Sequence, residues 1–203
     1  MLENVHWLGH ASIKITGEKT VYVDPYQIKG DETADIILIT HDHYDHLSPE
    51  DLKKIQGEKT VVVTTASSAG KIKGNVKTVS PGDTLTVEGV EIHAVPAYNI
   101  GKQYHPKDRA YVGFLFKVGG KTYYHAGDTD LIPEMKGLKP DVAFLPVGGT
   151  FTMNAQEAAK AVKDIQPKVV VPMHWGSIVG SVKDAETFQG LCECDVQILE
   201  RES

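Results

Sequence analysis

With 203 residues, 41% of them hydrophobic and 24% charged, the chain is long enough to bury a substantial core and gives no compositional case for disorder. Its formal net charge of -6 argues against a surface built for nucleic acid, which needs a basic face to neutralise phosphates. No window approaches the roughly 18 apolar residues of a membrane span, so none is expected.

The first segment, "MLENVHWLGHASIKI", opens with an acid and a histidine and has neither the basic start nor the long apolar stretch of a signal peptide. Short β-branched runs bounded by turn residues then follow: "KTVYVDPY", "ADIILITHDH", "KTVVVTT" and "VKTVSPGD". Runs such as "IILIT" and "VVVTT" are apolar at nearly every position, which suits strands covered on both faces by other layers. Between them "SPEDLKKIQG" predicts a helix with Ser48 as N-cap, Pro49 at the first position and Gly57 as its stop. "TLTVEGVEIHAVPA" and "YVGFLFKVGGKTYYHAGD" alternate more and break at glycine, predicting antiparallel hairpins.

Further along, "DVAFLPVGG" and "PKVVVPMHWG" predict two more buried strands. "TMNAQEAAKAVKDIQP" predicts a helix capped by Asn154, with Glu157 closing a capping box and Pro167 beyond the end. "VKDAETFQGL" is a shorter helical candidate. Strands outnumber helices and helices fall between them, so the expected class is α/β: two sheets, or one large mixed sheet, under helices. No Pro- or Ser-rich linker divides the chain, and one domain over residues 1–203 is expected. Cys192 and Cys194, two positions apart, rarely form a relaxed disulfide, so a reducing, cytoplasmic location is expected.

Ligand-type residues recur at the ends of the strand candidates: Asp24, His41, Asn99, Asp128 and His174. Open α/β sheets place their sites at such carboxyl ends. The densest group is "THDHYDH", residues 40–46, which lies directly after an apolar strand and directly before a capped helix. His41 and His43 can reach one ion from that turn, and Asp45 and His46 a second beside it. Imidazole and carboxylate suit zinc and neighbouring transition metals, and paired ions about 3.5–4 Å apart can clamp attacking and leaving oxygens. His6, His93 and His125 sit in or beside strands and are expected to be structural.

The segment "HDHYDH" resembles the H-x-H-x-D-H hallmark of the metallo-β-lactamase superfamily of binuclear metallohydrolases. "VYVDP", "YYHAGDTD" and "VVVPMHWGS" follow that family's later hallmarks in order, so the resemblance runs from about Leu8 to Ser181. It implies a four-layer αββα sandwich of two mixed β-sheets with outer helices. It also implies two divalent ions, with zinc first and manganese or iron as alternatives. His41 and His43 would bind the first ion, Asp45, His46 and His174 the second, and Asp128 both. Asp24 would orient a ligand histidine through its far ring nitrogen. "GHAS", with His10 near the site, together with "DP" and "GDTD", is similar to the branch of ascorbate-6-phosphate lactonase and N-acyl-phosphatidylethanolamine phospholipase D.

One position departs from the pattern. Where the family carries a third histidine for the first ion, "AVPAYNIGKQYHPKDR" offers Asn99. Three alternatives stay open: His105 swings back to fill the gap, Asn99 binds weakly, or the first site is incomplete. Asn99, Lys102, Lys107 and Arg109 share that loop and are candidate substrate contacts, the three cations as a clamp for a phosphate or carboxylate. The Gly-rich "PVGGTFTMN" and "HWGSIVGS" could turn backbone N–H groups toward an oxyanion.

The implied function is hydrolysis of a small ester, lactone or phosphodiester by a metal-activated hydroxide, with Asp45 or Asp128 returning the proton to the leaving group. The competing readings are a non-catalytic metal-binding or sensing domain and an iron-dependent redox protein. A small-molecule partner is expected, nucleic acid and membrane are not, and homo-oligomerisation is left open.

Overall fold

The structure of the protein is a computed structural model and describes residues 1–30 and 32–202. The apolar runs form two sheets. The first takes β1 (Val5–Gly9), β2 (Ser12–Ile15), β3 (Val21–Val23), β4 (Ala34–Ile39), β5 (Gln56–Thr65) and β6 (Asn75–Val79) in spatial order. The second takes β7 (Thr84–Val87), β8 (Val90–Pro96), β9 (Val112–Val118), β10 (Lys121–His125), β11 (Val142–Pro146), β12 (Val169–Met173) and β13 (Asp195–Val196), again in spatial order. Each sheet is antiparallel in its first part and parallel in its last: β3 to β6 run parallel, as do β10 to β13.

Period-two alternation then sorts the side chains into layers. Ile36, Leu38, Val61 and Val63 of the first sheet meet Ile92, Phe114, Phe116 and Phe144 of the second in one central core. The alternate residues Ile37, Ile39 and Val62 face outward onto Leu52 and Ile55 of α1 (Pro49–Ile55). On the far side Tyr124, Ala143, Leu145 and Val170 pack on α3 (Ala155–Ile165) and on Phe188 of α4 (Val182–Leu191). The result is the four-layer αββα sandwich of the metallo-β-lactamase fold. Strands apolar on both faces are the ones covered on both faces, as the continuous runs require.

The caps follow their predicted chemistry. The Ser48 hydroxyl accepts the Asp51 N–H at the start of α1, and Asn154 with Glu157 forms a reciprocal capping box on α3. Gly57 does not end α1. Gln56 already leaves the helix in an extended conformation, because pairing with Ala34 of β4 draws it into β5. The one-turn α2 (Ala66–Ala69) was not expected; "ASSA" is too short to show a helical stripe, and what holds it is local, with the Thr65 and Ser68 hydroxyls 3.0 Å apart. The two-residue β13 is likewise too brief to carry a pattern.

This topology sets the site. Asp24 follows β3, His41 follows β4, Asn99 follows β8, Asp128 follows β10 and His174 follows β12, so strand ends from both sheets converge at one end of the sandwich.

Candidate metal centre

The turn between β4 and α1 is folded by the backbone before any ligand is considered. The N–H groups of His46 and Leu47 both donate to the His43 carbonyl, at 3.1 and 2.8 Å, reversing the chain within the motif. Beneath it Asp24, fully buried, accepts the Thr40 N–H at 2.8 Å and the Thr40 hydroxyl at 2.7 Å. His46 Nδ1–H donates to the same carboxylate at 2.7 Å. With its proton on Asp24, the Thr40 hydroxyl oxygen accepts His41 Nδ1–H at 2.9 Å. Asp24 therefore orients both rings, and the Nε2 atoms of His41 and His46 face the same space.

Two donor sets meet there. His41, His43, His105 and Asp128 form one, and His10, Asp45, His46 and His174 the other; within each, one donor atom per residue lies within 4.8 Å of the rest. His43 Nδ1 stands 3.1 Å from His41 Nε2 and 3.1 Å from His105 Nε2. A single proton cannot satisfy three converging ring nitrogens, whereas donors 2.0–2.1 Å from a tetrahedral ion stand about 3.3 Å apart. Asp128 lies between the sets: its Oδ2 is 3.3 Å from His105 Nε2 and 3.2 Å from His174 Nε2, and its Oδ1 is 3.2 Å from His46 Nε2. His46 Nε2, His174 Nε2 and Asp128 Oδ1 are all buried without a hydrogen-bond partner. Buried polar atoms normally have one, so these atoms fit ions that would occupy the gap.

The backbone bends to achieve this. His10, Asp24, His105 and His174 all have positive φ, between 45° and 60°, a region few non-glycine residues enter and one that clusters at functional sites. Gly148 lies so close to the His174 turn that a Cβ there would come within 2.4 Å of the His174 carbonyl oxygen.

Burial pushes His41 well below the ordinary histidine range and lowers His43, His105 and His10, keeping those rings neutral and their lone pairs available. Burial opposes ionisation of His46 too, but the Asp128 and Asp24 carboxylates outweigh it and raise His46 well above that range. For Asp128 burial is likewise overcome, by His174 and His46, and its carboxyl stays ionised. Against the effect of burial, the His10 hydrogen bond and the charge of His46 bring Asp45 down to about 2.

Each residue singled out in the sequence has a definite place. His105, 2% exposed, joins His41 and His43 in one donor set, and its Nδ1–H points to the Phe151 carbonyl at 3.2 Å. Asn99 does not enter either set; its amide donates to the same carbonyl at 2.6 Å and packs behind His105. His10 Nε2–H donates to Asp45 Oδ2 at 2.9 Å.

The charged residues of the loop divide. Lys102 is taken by the Asp130 carboxylate and by the Thr152 carbonyl at 2.7 Å, and Lys107 by Glu134 at 3.2 Å. Neither lines the cavity over the site, nor does Asn99; only Arg109 of those four candidates does. The Gly-rich segments also differ from expectation. Gly149 N–H donates to the Met153 carbonyl and Thr150 N–H to that of Gly148, closing their own turn, while the Phe151 and Ile178 side chains line the wall.

His6, His93 and His125 are structural. His6 bonds Glu202 and Thr16, His93 bonds Thr84, and His125 donates to the Ala11 carbonyl. Cys192 and Cys194 are free thiols outside both donor sets.

Above the donors opens a cavity of about 500 Å³, lined also by Asp42, Tyr44, Lys71, Tyr104 and Phe151. None of these was singled out in the sequence. Asp42 and Tyr44 are the variable positions inside the histidine motif, and the others arrive from separate loops with no spacing rule to mark them. Among the described residues no helix is long and apolar enough to cross a membrane.

Comparison with known proteins agrees with this geometry. A family profile described as beta-lactamase superfamily domain matches residues 4–174. The chain is similar to a UPF0173 metal-dependent hydrolase of Pyrococcus abyssi, 38% identical, with 92% of this chain and 91% of that protein covered. Another, from Methanoculleus marisnigri, is 36% identical over 92% of this chain and 87% of its own length. Among solved structures, a protein of Parabacteroides distasonis described as a metal-dependent hydrolase superposes with a TM-score of 0.87 at 35% identity, covering 98% of this chain and 93% of its own. Igni18, a metallo hydrolase of Ignicoccus hospitalis, shares the fold at a TM-score of 0.79 and 23% identity, covering 98% and 95%.

Proposed function

The chain belongs to the metallo-β-lactamase superfamily, and from that premise we propose that it hydrolyses a small ester, lactone or phosphodiester at a binuclear centre. The observation that carries this reading is the position of Asp128 between two buried donor sets. His41, His43 and His105 with Asp128 would hold one ion, and Asp45, His46 and His174 with Asp128 the other. The nitrogen and oxygen donors favour zinc, with manganese and iron as alternatives. Such a pair lowers the pKa of a water from 15.7 to about 7 and places positive charge against the carbonyl or phosphoryl oxygen under attack.

The chain's own residues organise the rest. Asp24 fixes the rings of His41 and His46, and the Phe151 carbonyl fixes that of His105. His10 holds Asp45 Oδ2, the oxygen that faces His46 Nε2 at 3.7 Å and His174 Nε2 at 4.0 Å. Both site carboxylates are ionised and line the cavity, and Asp45, the more open of the two, would take the proton given up by the attacking water and pass it to the leaving group. The "GHAS", "DP" and "GDTD" elements favour a lactone or phosphodiester over a β-lactam. Free Cys192 and Cys194 support a reducing, cytoplasmic setting.

The test is elemental mass spectrometry of the purified protein, together with assays on bis(p-nitrophenyl) phosphate and an aryl lactone. Two ions per chain, and hydrolysis abolished by Asp45→Ala, are expected. Metal-replete protein that cleaves none of these, or an Asp45→Ala variant at full rate, would overturn the reading.

A further inference from the structure

The cavity over the donors is lined by both charged and apolar side chains. Lys71, just beyond α2 on the first sheet, and Arg109, on the loop between β8 and β9 of the second, meet at Asp42. Lys71 Nζ donates to Asp42 Oδ2 at 3.0 Å and to the Asp42 carbonyl at 3.2 Å. The Tyr111 hydroxyl donates to Asp42 Oδ1 at 2.8 Å, and Arg109 Nη2 stands 3.7 Å from the same oxygen. Two cations thus share one carboxylate, and the wall keeps a positive excess inside a molecule whose formal charge is -6.

Arg109 is under-used. Among the described residues its one hydrogen bond runs from Nε–H to the Tyr111 hydroxyl at 3.2 Å, and its terminal nitrogens have no hydrogen-bond acceptor. A guanidinium has five donors in a planar fork suited to carboxylate and phosphate. Both cations are about half open to the cavity, at 51% and 52% side-chain exposure. Lys102 and Lys107 contrast with them, since each is matched by its own carboxylate away from the cavity.

The cavity also has apolar lining. Tyr44, Tyr104 and Ile178 are 66%, 47% and 38% exposed, and Tyr104 packs edge-to-face on Phe151 at 4.8 Å. Large apolar groups gathered at a cavity mouth mark a binding surface. The charged wall flanks the first donor set, with the Tyr111 ring 4.9 Å from that of His41. Asp128 lines the same cavity.

We propose that Lys71 and Arg109 form an anion subsite, and that the substrate is a small acid carrying a free carboxylate or phosphate together with an apolar group. For the bond cleaved, this rests on the hydrolase reading above; for the binding of the anion it does not. Asp42 tempers the subsite by holding the two cations at the wall.

The test is calorimetric titration of the zinc-loaded full chain with 3-phenylpropionate and with its neutral isostere 3-phenylpropionamide. The acid is expected to bind about tenfold tighter, the effect of one charge-assisted hydrogen bond. That preference is expected to vanish in the Lys71→Gln/Arg109→Gln double variant and to grow in Asp42→Asn. Equal binding of acid and amide overturns the proposal. So does a preference that survives intact in the double variant, which would assign it to the metal ions. Hydrolysis is read separately: a wild type that cleaves no ester, lactone or phosphodiester, yet keeps a Lys71- and Arg109-dependent preference for the acid, overturns the hydrolase reading and leaves the subsite standing.

Discussion

His105 lies six positions beyond Asn99 in the chain, and a backbone φ of 53° turns its ring back toward His43. The departure at Asn99 was visible in the sequence, but its resolution was not, because a loop conformation decides it and no spacing rule reports one. Replacing His105 by Ala is expected to lower metal content from two ions toward one per chain, read by elemental mass spectrometry, with far-UV circular dichroism unchanged. Full metal content in that variant would remove His105 from the centre. At the "HDHYDH" turn four ligand-type side chains are locally concentrated, and the fold brings them to the two donor sets, whereas Lys102 and Lys107 pair with carboxylates away from the cavity. A lysine's charge is legible in a sequence; the carboxylate that claims it, such as Asp130 or Glu134, is not.

At the scale of elements, α1 does more than cover the first sheet. Asp51 in its first turn is buried and accepts the N–H groups of Gln27 and Ile28, at 2.8 and 3.1 Å, as well as Lys54 Nζ at 2.7 Å. It thereby ties the loop after Asp24 to the helix after His46. An Asp51→Ala change strands two backbone donors and is expected to cost about 2 kcal/mol in denaturant unfolding. Burial of Asp51 is outweighed by the Lys54 and Ser48 hydrogen bonds, so its pKa is lowered. The stabilisation it contributes is therefore present above the ordinary aspartate range and lost as pH falls through the folded value. An Asp51→Ala chain as stable as wild type at pH 7 would refute this role. Elements with a cap and a stripe, α1 and α3, were readable from sequence, as were hairpins broken at Glu88–Gly89 and Gly119–Gly120. The end of α1 was not, since strand pairing at Gln56 overrode the helix-stop chemistry of Gly57.

Across the whole molecule, the continuous apolar strands announced buried sheets, but the pairing order could not be read from them because every such strand looks alike. The histidines have a collective effect on stability. His10, His41, His43, His105 and His125 are all lowered, chiefly by burial, so between their folded values and about 6.5 the unfolded chain binds more protons than the folded one. Stability from these groups is present above that range and lost as pH falls. His46 works in the opposite sense, being raised, but it is one group against five. Metal-free protein is expected to melt at a lower temperature at pH 5 than at pH 7 in differential scanning calorimetry, and metal to widen the gap by favouring deprotonated ligands. A midpoint independent of pH across that range would refute the account.

The donors come from both halves of the sandwich: His41, His43, Asp45 and His46 from a loop of the first sheet, and His105, Asp128 and His174 from loops of the second. Neither half alone can complete either donor set. Complete coordination is therefore expected only after the sheets dock, and full release of an ion only on a parting of the two sheets or of their end loops. The rate at which a chelator strips the protein thus becomes a clock for the breathing of the sandwich.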